Sequence, residues 1–171
     1  IACALPAVAQ ETNHYPNGTS GILAGSVPGP GLYYLMYNLY YESDRLKDRS
    51  GNPVLGPGGD ALDFQVRAFA NVHRIIHVTH LKFLGAEFSW NLAVPFIDRS
   101  IRINDFGIDD SHFGNGDLNL EPLVLEWRGP QWDFGIGYGV FGPTGDRDDR
   151  SPAKAGKGFW THYPILAGTW F

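Results

Sequence analysis

The 171-residue sequence contains one cysteine, Cys3, and little positive charge. A single cysteine excludes an internal disulfide framework and a cysteine-rich zinc site. The chain has 13 basic and 18 acidic residues, and its net charge of -5 gives no indication of a basic surface that would bind nucleic acid. No apolar run approaches the roughly 20 residues that a membrane-spanning helix needs. Nucleic-acid binding and helical membrane anchoring are therefore not predicted.

Glycine, proline and aromatic residues are abundant instead. The chain has 22 glycines and 12 prolines, both of which interrupt helices, so a helical bundle is not expected. Hydrophobic residues make up 43% and aromatic residues 14%, which is too much apolar surface for a disordered chain. The composition predicts strands joined by loops.

The first residues are typical of the end of an export signal. Residues 1–9 are small and apolar, the sequence turns polar at Glu11, and Ala7-Val-Ala9 fits a signal-peptidase site. We expect residues 1–10 to be the end of a cleaved signal peptide and 11–30 a periplasmic N-terminal segment. An ordinary apolar N-terminus and lipidation at Cys3 are the less favoured alternatives.

Alternation of apolar and polar residues with period two predicts six strands. Four segments alternate clearly, and two are weaker because Pro122 and Pro164 interrupt them. In the second segment, for example, the even positions are apolar and the odd positions almost all polar. The predicted strands are 31–41, 62–74, 86–97, 118–127, 132–141 and 159–171.

The connections between these segments alternate between long and short. They contain about 20, 11, 20, 4 and 17 residues, and the long ones are 42–61, 98–117 and 142–158. Long external loops and short periplasmic turns are typical of outer-membrane barrels. The predicted fold is all-β: an antiparallel up-and-down meander forming the N-terminal part of a transmembrane outer-membrane β-barrel. Because six strands cannot close such a barrel, residues 31–171 are interpreted as its first half.

A soluble periplasmic or secreted β-sandwich that binds a ligand through its loops is the alternative, since its strands alternate as well. In the barrel, the apolar faces contact lipid and the polar faces line the lumen. We expect the even positions of 62–72 and 86–96 to face lipid. The predicted lumen-lining residues, which either form a solute path or only fill the lumen, are Asp63, Gln65, Arg67, Asn71, His73, Glu87, Ser89 and Asn91.

Other chemistry is only weakly indicated. His73, His77 and His80 would share one face of a helix, but at a strand end this spacing scatters the rings, so no metal site is predicted. The sequence indicates no Ser-His-carboxylate set, no enzyme activity and no cofactor. The glycine stripe Gly135, Gly137 and Gly139 lies on one strand face, where it lets the wall curve or lets another segment approach closely.

An ordered series of short motifs resembles a known bacterial family. The series begins with Pro28-Gly-Pro-Gly-Leu-Tyr-Tyr34, continues through Lys82-Phe-Leu-Gly-Ala86 and Gly114-Asn-Gly-Asp-Leu118, and ends with Trp160-Thr161 and Tyr163-Pro164. From about Ser20 to Phe171 the chain resembles the outer-membrane proteins of the MetA-pathway phenol degradation family, also described as SphA-like. The resemblance implies a barrel that carries aromatic or other hydrophobic compounds across the bacterial outer membrane. Its expected partners are outer-membrane lipid and a small hydrophobic or aromatic solute.

Overall fold

The computed structural model describes His14, residues 25–148 and residues 151–171. The predicted signal peptide, 1–10, lies outside these residues, as does most of the predicted periplasmic segment. The described chain forms seven strands and one short 3-10 helix, Asn104–Phe106. The strands are β1 Gly31–Ser43, β2 Phe64–Phe83, β3 Ala86–Ile103, β4 Ile108–Asn115, β5 Asn119–Arg128, β6 Trp132–Phe141 and β7 Thr161–Trp170.

All seven strands belong to one antiparallel sheet. Its order is β1-β2-β3-β5-β6-β7, and β4 pairs with β3 beside β5. Each strand therefore neighbours the strand next to it in sequence, apart from the break between β4 and β5. The predicted all-β meander is confirmed, with the sheet open in the described residues. No helix in the described part of the chain has the length and apolar character needed to cross a membrane.

The hairpin of β2 and β3 is much longer than the alternation predicts. β2 has 20 residues and β3 has 18, and a two-residue turn at Leu84 and Gly85 joins them. Both turn residues have positive φ, 51° and 81°, as a type I′ hairpin turn requires. The predicted 11-residue connection at 75–85 is therefore wrong, because the β-branched residues after Arg74 continue the strand.

β3 pairs with two strands placed end to end. Residues 96–103 pair with β4, whereas residues 87–93 pair with β5. The break falls opposite Pro95, whose carbonyl accepts a 2.8 Å bond from the Gly116 amide and whose nitrogen has no hydrogen to donate. The predicted long loop at 98–117 is thus mostly a hairpin, which turns at the 3-10 helix.

The two-residue turn also decides which side chains share a face. It pairs Phe83 with Ala86, so odd residues of β2 lie opposite even residues of β3. Between Val78 and Lys82 the pairing shifts, so that three residues of β2 lie opposite one residue of β3. The shift is by two residues, so odd residues of β2 still lie opposite even residues of β3. Consequently, the even residues of 62–72 and those of 86–96 lie on opposite faces. The expectation that both sets share a lipid-facing surface is wrong.

We name the two faces by what lies against them. The covered face carries Ser89, Asn91 and Glu121, and Gly25 and Val27 lie against it, where they line a small cavity with residues of β5, β6 and β7. The open face is the opposite side of the sheet. Over residues 88–96 of β3 and over β5, β6 and β7, the open face is apolar apart from His162, with the residues Phe88, Trp90, Leu92, Val94, Phe96, Leu120, Leu123, Leu125, Trp127, Trp132, Phe134, Ile136, Tyr138, Val140, Pro164, Leu166 and Trp170. The even residues of β3 beyond Phe96, which are Asp98, Ser100 and Arg102, are polar.

Candidate functional site on the covered face

The structure separates the predicted lumen-lining residues into two groups. Glu87, Ser89 and Asn91 of β3 lie on the covered face, where Ser89 is 2% and Asn91 4% exposed. The β2 residues of the set lie on the open face, because each pairs with an even residue of β3. The two groups lie on opposite faces, so they do not line one lumen-facing surface together. The β2 residues on the open face are Gln65, Arg67, Asn71 and His73.

These β2 side chains interact mainly with β1 and with nearby loops. Arg67 Nε donates to Glu42 Oε1 at 2.8 Å, and Asn71 Nδ2 donates to Asn38 Oδ1 at 2.7 Å. His73 Nδ1 lies 2.5 Å from the Tyr34 hydroxyl. Asp63, just before β2, accepts from Asn104 of the 3-10 helix at 2.7 Å. Gln65 pairs in register with Arg102.

A polar cluster on the covered face connects four strands. Asn91 Nδ2 and Arg74 Nη2 donate to Glu121 Oε2 at 2.5 and 3.1 Å, and Arg74 Nε donates to Asn91 Oδ1 at 3.1 Å. Tyr163 donates to Glu121 Oε1 at 2.8 Å and accepts from Asn119 Nδ2 at 2.7 Å. Glu121 is only 7% exposed, so these donors compensate a buried charge. Arg74 is therefore the cation at the centre of this face.

The glycine stripe on β6 lets this cluster form. Gly139 pairs with Tyr163, whose ring lies over it, so a methyl group on Gly139 would overlap ring atoms of Tyr163. At Gly135 the nearest atom to such a methyl would be the Leu125 carbonyl oxygen, 3.8 Å away. Of the two uses predicted for the stripe, close approach of another segment is found at Gly139.

A second cluster fixes Val27 and Pro28, the segment just before β1, at the short-turn end of the sheet. Arg128 Nη2 donates to the carbonyls of Val27 and Pro28 at 2.7 and 2.8 Å, and its Nε donates to Glu126 Oε1 at 3.3 Å. The Val27 amide donates to both oxygens of Glu126 at 3.1–3.2 Å. Glu87 Oε2 lies 3.2 Å from Arg128 Nη2 as a further ion-pair partner. One arginine thus balances two carboxylates and anchors the segment.

His14 forms a third contact, at the long-loop end of the same face. Its Nδ1 lies 2.7 Å from Thr161 Oγ1 and its Nε2 2.8 Å from Asp117 Oδ2. The ring stacks on Phe141, with centroids 5.0 Å apart, and meets Phe159 edge-on at 4.7 Å. The side chains of His14 and Asp117 are 4% and 1% exposed. His14 and Val27 thus contact the covered face at its two ends.

Asp117 connects His14 to the long connection that follows β6. It lies in the break between β4 and β5, and it accepts from the amides of Gly145 at 2.8 Å and Lys157 at 2.6 Å. Burial opposes ionisation of Asp117, but these two amides and the His14 ring together hold the pKa of Asp117 below its ordinary value. Asp117 is therefore an ionised anchor for both segments.

Sequence reasoning did not identify the residues of these clusters. Glu121, Glu126 and Asp117 lie in segments whose alternation is weak or whose composition predicts a loop, and His14 is far from them in sequence. The bulge at Pro122, where the pairing of β5 shifts against both neighbours, keeps Glu121 and Glu126 on the same face. The proline was the available signal for this irregularity.

Metal binding has no geometric support in the described residues. No group of three or more His, Cys, Asp or Glu side chains there could hold a metal ion. His73 and His77 lie four residues apart on one strand, which separates them by roughly 13 Å. Their rings contact Phe96 and Trp90, respectively.

The fold and this face define the class of protein: an antiparallel meander, open in the described residues, with ion pairs on a covered face and an open face that is apolar over β5, β6 and β7. A family model described as "Putative MetA-pathway of phenol degradation" matches residues 43–171, and the chain belongs to this family. The description connects the family with the phenol degradation pathway. No curated protein and no solved structure matches the chain.

Proposed function

We propose that the chain is part of an outer-membrane β-barrel that carries aromatic or other hydrophobic small molecules for a catabolic pathway. The observation that carries this proposal is the inverted distribution of polarity over β5, β6, β7 and residues 88–96 of β3; on β1 and β2 much of the open face is polar instead. Glu121 and Glu126 are 7% and 2% exposed on the covered face, whereas Leu166 and Trp170 of the open face are 76% and 75% exposed. A water-soluble sheet buries its apolar side, whereas a barrel in lipid exposes it.

The strand lengths support the same proposal. β5, β6 and β7 have ten residues each, within the 9–11 that a tilted spanning strand needs. The longer hairpin of β2 and β3 then extends beyond the hydrocarbon at one end. Trp132 and Trp170, paired across β6 and β7, lie at the short-turn end of the open face, as residues of an aromatic girdle do.

The alternative, a soluble β-sandwich, requires a second sheet to bury the apolar side. All strands of the described residues belong to one sheet, and its apolar face stays open. In the proposed barrel, further strands pair with the free edges of β1 and β7, since an unpaired edge in lipid costs several kcal/mol for each backbone group.

The solute path in this proposal runs along the covered face. Its polar groups come from β2, β3, β5 and β7, with Arg74 and Glu121 at the centre, while Val27 and His14 lie at its two ends. Fixed charges at such positions bias which solutes pass. The family connection favours phenolic and related aromatic compounds.

Expression of the full reading frame in a Gram-negative host tests the proposal. We expect the protein in the outer-membrane fraction, with heat-modifiable mobility in SDS gels and with solute flux after reconstitution into liposomes. Phenol also crosses lipid unaided, so the flux is measured as the difference in the rate of phenol entry between liposomes that contain the protein and protein-free liposomes, with a sugar of similar size as the second comparison. Protein recovered in the soluble periplasmic fraction, with mobility independent of heating, would refute the barrel.

A further inference from the structure

Phe141, on the covered face of β6, and Phe159, in the connection before β7, form a slot that is filled by a ring. Phe141 stacks against one face of the His14 imidazole at 5.0 Å, with an interplanar angle of 18°. Phe159 meets the same ring at 4.7 Å and 66°. Stacked and edge-to-face arrangements at these distances are the preferred contacts of aromatic pairs. The slot therefore has the shape of a site for one planar ring.

The rim of the slot supplies hydrogen bonds to that ring. Asp117 Oδ2 lies 2.8 Å from one ring nitrogen, and Thr161 Oγ1 lies 2.7 Å from the other. Asp117 is buried and already accepts two backbone amides, so its carboxylate is held in place whatever fills the slot. A phenolic hydroxyl could donate to it as the imidazole N–H does. Phenol is close in size to a histidine side chain.

The ring that fills the slot is enclosed. The His14 side chain is 4% exposed and Phe141 is 9% exposed, whereas Phe159 is 46% exposed. A ligand therefore enters the slot only when the His14 ring leaves it.

We infer that this slot is a binding site for a small hydroxyl-bearing aromatic ring, and that His14 occupies it as an internal competitor. The inference rests on the proposed function and narrows its solute class to phenols. His14 is attached to the same chain, so it competes at a high effective concentration. Removing its ring should vacate the slot and tighten the binding of phenol.

The test compares His14→Gly with the parent protein, purified as the full chain in nanodiscs. If the slot is free of His14 in about 1–10% of molecules, phenol should bind the variant about 10–100-fold more tightly. Titration of the rise in thermal midpoint with phenol measures this affinity, because a ligand that binds the native state stabilises it. 4-Methylimidazole, which is the missing side chain itself, should also stabilise the variant. Toluene, which lacks the hydroxyl, and cyclohexanol, which lacks the aromatic ring, should bind at least tenfold more weakly than phenol.

His162→Gly is the matched control. His162 also bonds a hydroxyl, that of Tyr138 at 2.5 Å, and stacks on an aromatic ring, Trp160, but it lies on the open face and pairs in register with Val140. Phenol should bind this variant no more tightly than the parent. Equal gains in both variants would show partition into lipid and would overturn the inference. His14→Ala replaces His14→Gly if the glycine variant does not fold.

Three further outcomes decide the matter. Stabilisation of His14→Gly by 4-methylimidazole but not by phenol would mean that the slot anchors a histidine only. Failure of both compounds would mean that the slot collapses or does not exist, and either result overturns the inference. Binding without any solute flux would refute the proposed transport and leave the slot standing, so the two failures are distinguishable.

Discussion

Replacing Gly139 by alanine should destabilise the sheet far more than the same change at Gly135. Both glycines lie on the covered face of β6, and both changes restrict the unfolded chain equally. At Gly139 the new methyl group would overlap the ring of Tyr163, whereas at Gly135 its nearest neighbour would be 3.8 Å away. The difference in unfolding free energy between Gly139→Ala and Gly135→Ala therefore measures the effect of the close contact between Gly139 and Tyr163.

The expected loss of unfolding free energy can be worked out from the contacts that Tyr163 loses when its ring moves. Overpacking a fitted site costs about 1–3 kcal/mol. Moving the ring also weakens its hydrogen bonds to Glu121 and Asn119, at about 1 kcal/mol each. Against this, alanine gains roughly 0.5–1 kcal/mol over glycine within a strand. We expect Gly139→Ala to lower the free energy of unfolding by about 3 kcal/mol, and Gly135→Ala to leave it unchanged or slightly raised.

Urea unfolding in lipid vesicles, followed by tryptophan fluorescence, measures both variants. A third variant, Tyr163→Leu, removes the ring, and in that background Gly139→Ala should cost less than about 1 kcal/mol, because contacting residues are not additive. Equal losses at Gly135 and Gly139, or an undiminished loss at Gly139 without the tyrosine ring, would refute this explanation of the glycine stripe.

The remaining predictions concern the charged anchors of the covered face. Arg74→Gln leaves the buried carboxylate of Glu121 without its cation, so it should lower the free energy of unfolding by about 3 kcal/mol in urea melts and shift the reversal potential of reconstituted channels toward cations. Arg67 forms an exposed ion pair, so Arg67→Gln is the comparison and should change both quantities little. Equal effects of the two substitutions would contradict the assignment of faces. The pKa of Asp117 is lowered in the folded protein, so its stabilising contribution is present above the ordinary carboxyl pKa of about 4 and disappears as the pH falls through the pKa of the folded state. The difference in unfolding free energy between the parent and Asp117→Asn should therefore shrink below about pH 4. A constant difference from pH 7 to pH 3 would argue against an ionised anchor. Arg128→Gln should release the backbone near Val27, so that a cysteine placed there reacts faster with a thiol reagent than in the parent, whereas unchanged reactivity would mean that the arginine does not hold the segment.

The strands themselves were largely predictable from the sequence. β6 has the predicted bounds, and β1, β5 and β7 differ by one or two residues at their ends. The residues of β1 and β6 alternate between two environments over the whole strand, whereas the bulge at Pro122 interrupts this alternation in β5. The sequence does not predict β4, because Asp109, Asp110 and His112 give this segment the composition of a loop. Its pairing with β3, which is a tertiary contact, makes it a strand.

The assignment of faces could not be predicted, because it depends on the turn between β2 and β3. A connection of 11 residues leaves the parity of the two strands open, whereas the two-residue turn fixes it. Gly85 indicates such a turn, but a two-residue turn of this type also requires a positive φ at Leu84. Leucine rarely adopts that conformation, so the sequence does not predict the turn. The contacts of His14 with Asp117 and Thr161 join residues more than 100 positions apart, and no local pattern encodes them.

The central claim is that the apolar part of the open face, formed by residues 88–96 of β3 and by β5, β6 and β7, contacts lipid and the covered face beneath it does not. Spin labels at Leu92 and Ile136, on the open face of β3 and β6, test it against labels at Asn91 and Gly135 on the covered face. Power-saturation measurements on the full protein in bilayers compare collisions with oxygen, which enriches in lipid, and with a water-soluble nickel chelate. We predict that oxygen relaxes the labels at Leu92 and Ile136 strongly while the nickel chelate does not, and that the labels at Asn91 and Gly135 show no such preference for oxygen. Strong relaxation of the labels at Leu92 and Ile136 by the nickel chelate, or an oxygen preference at Asn91 and Gly135, would contradict the account.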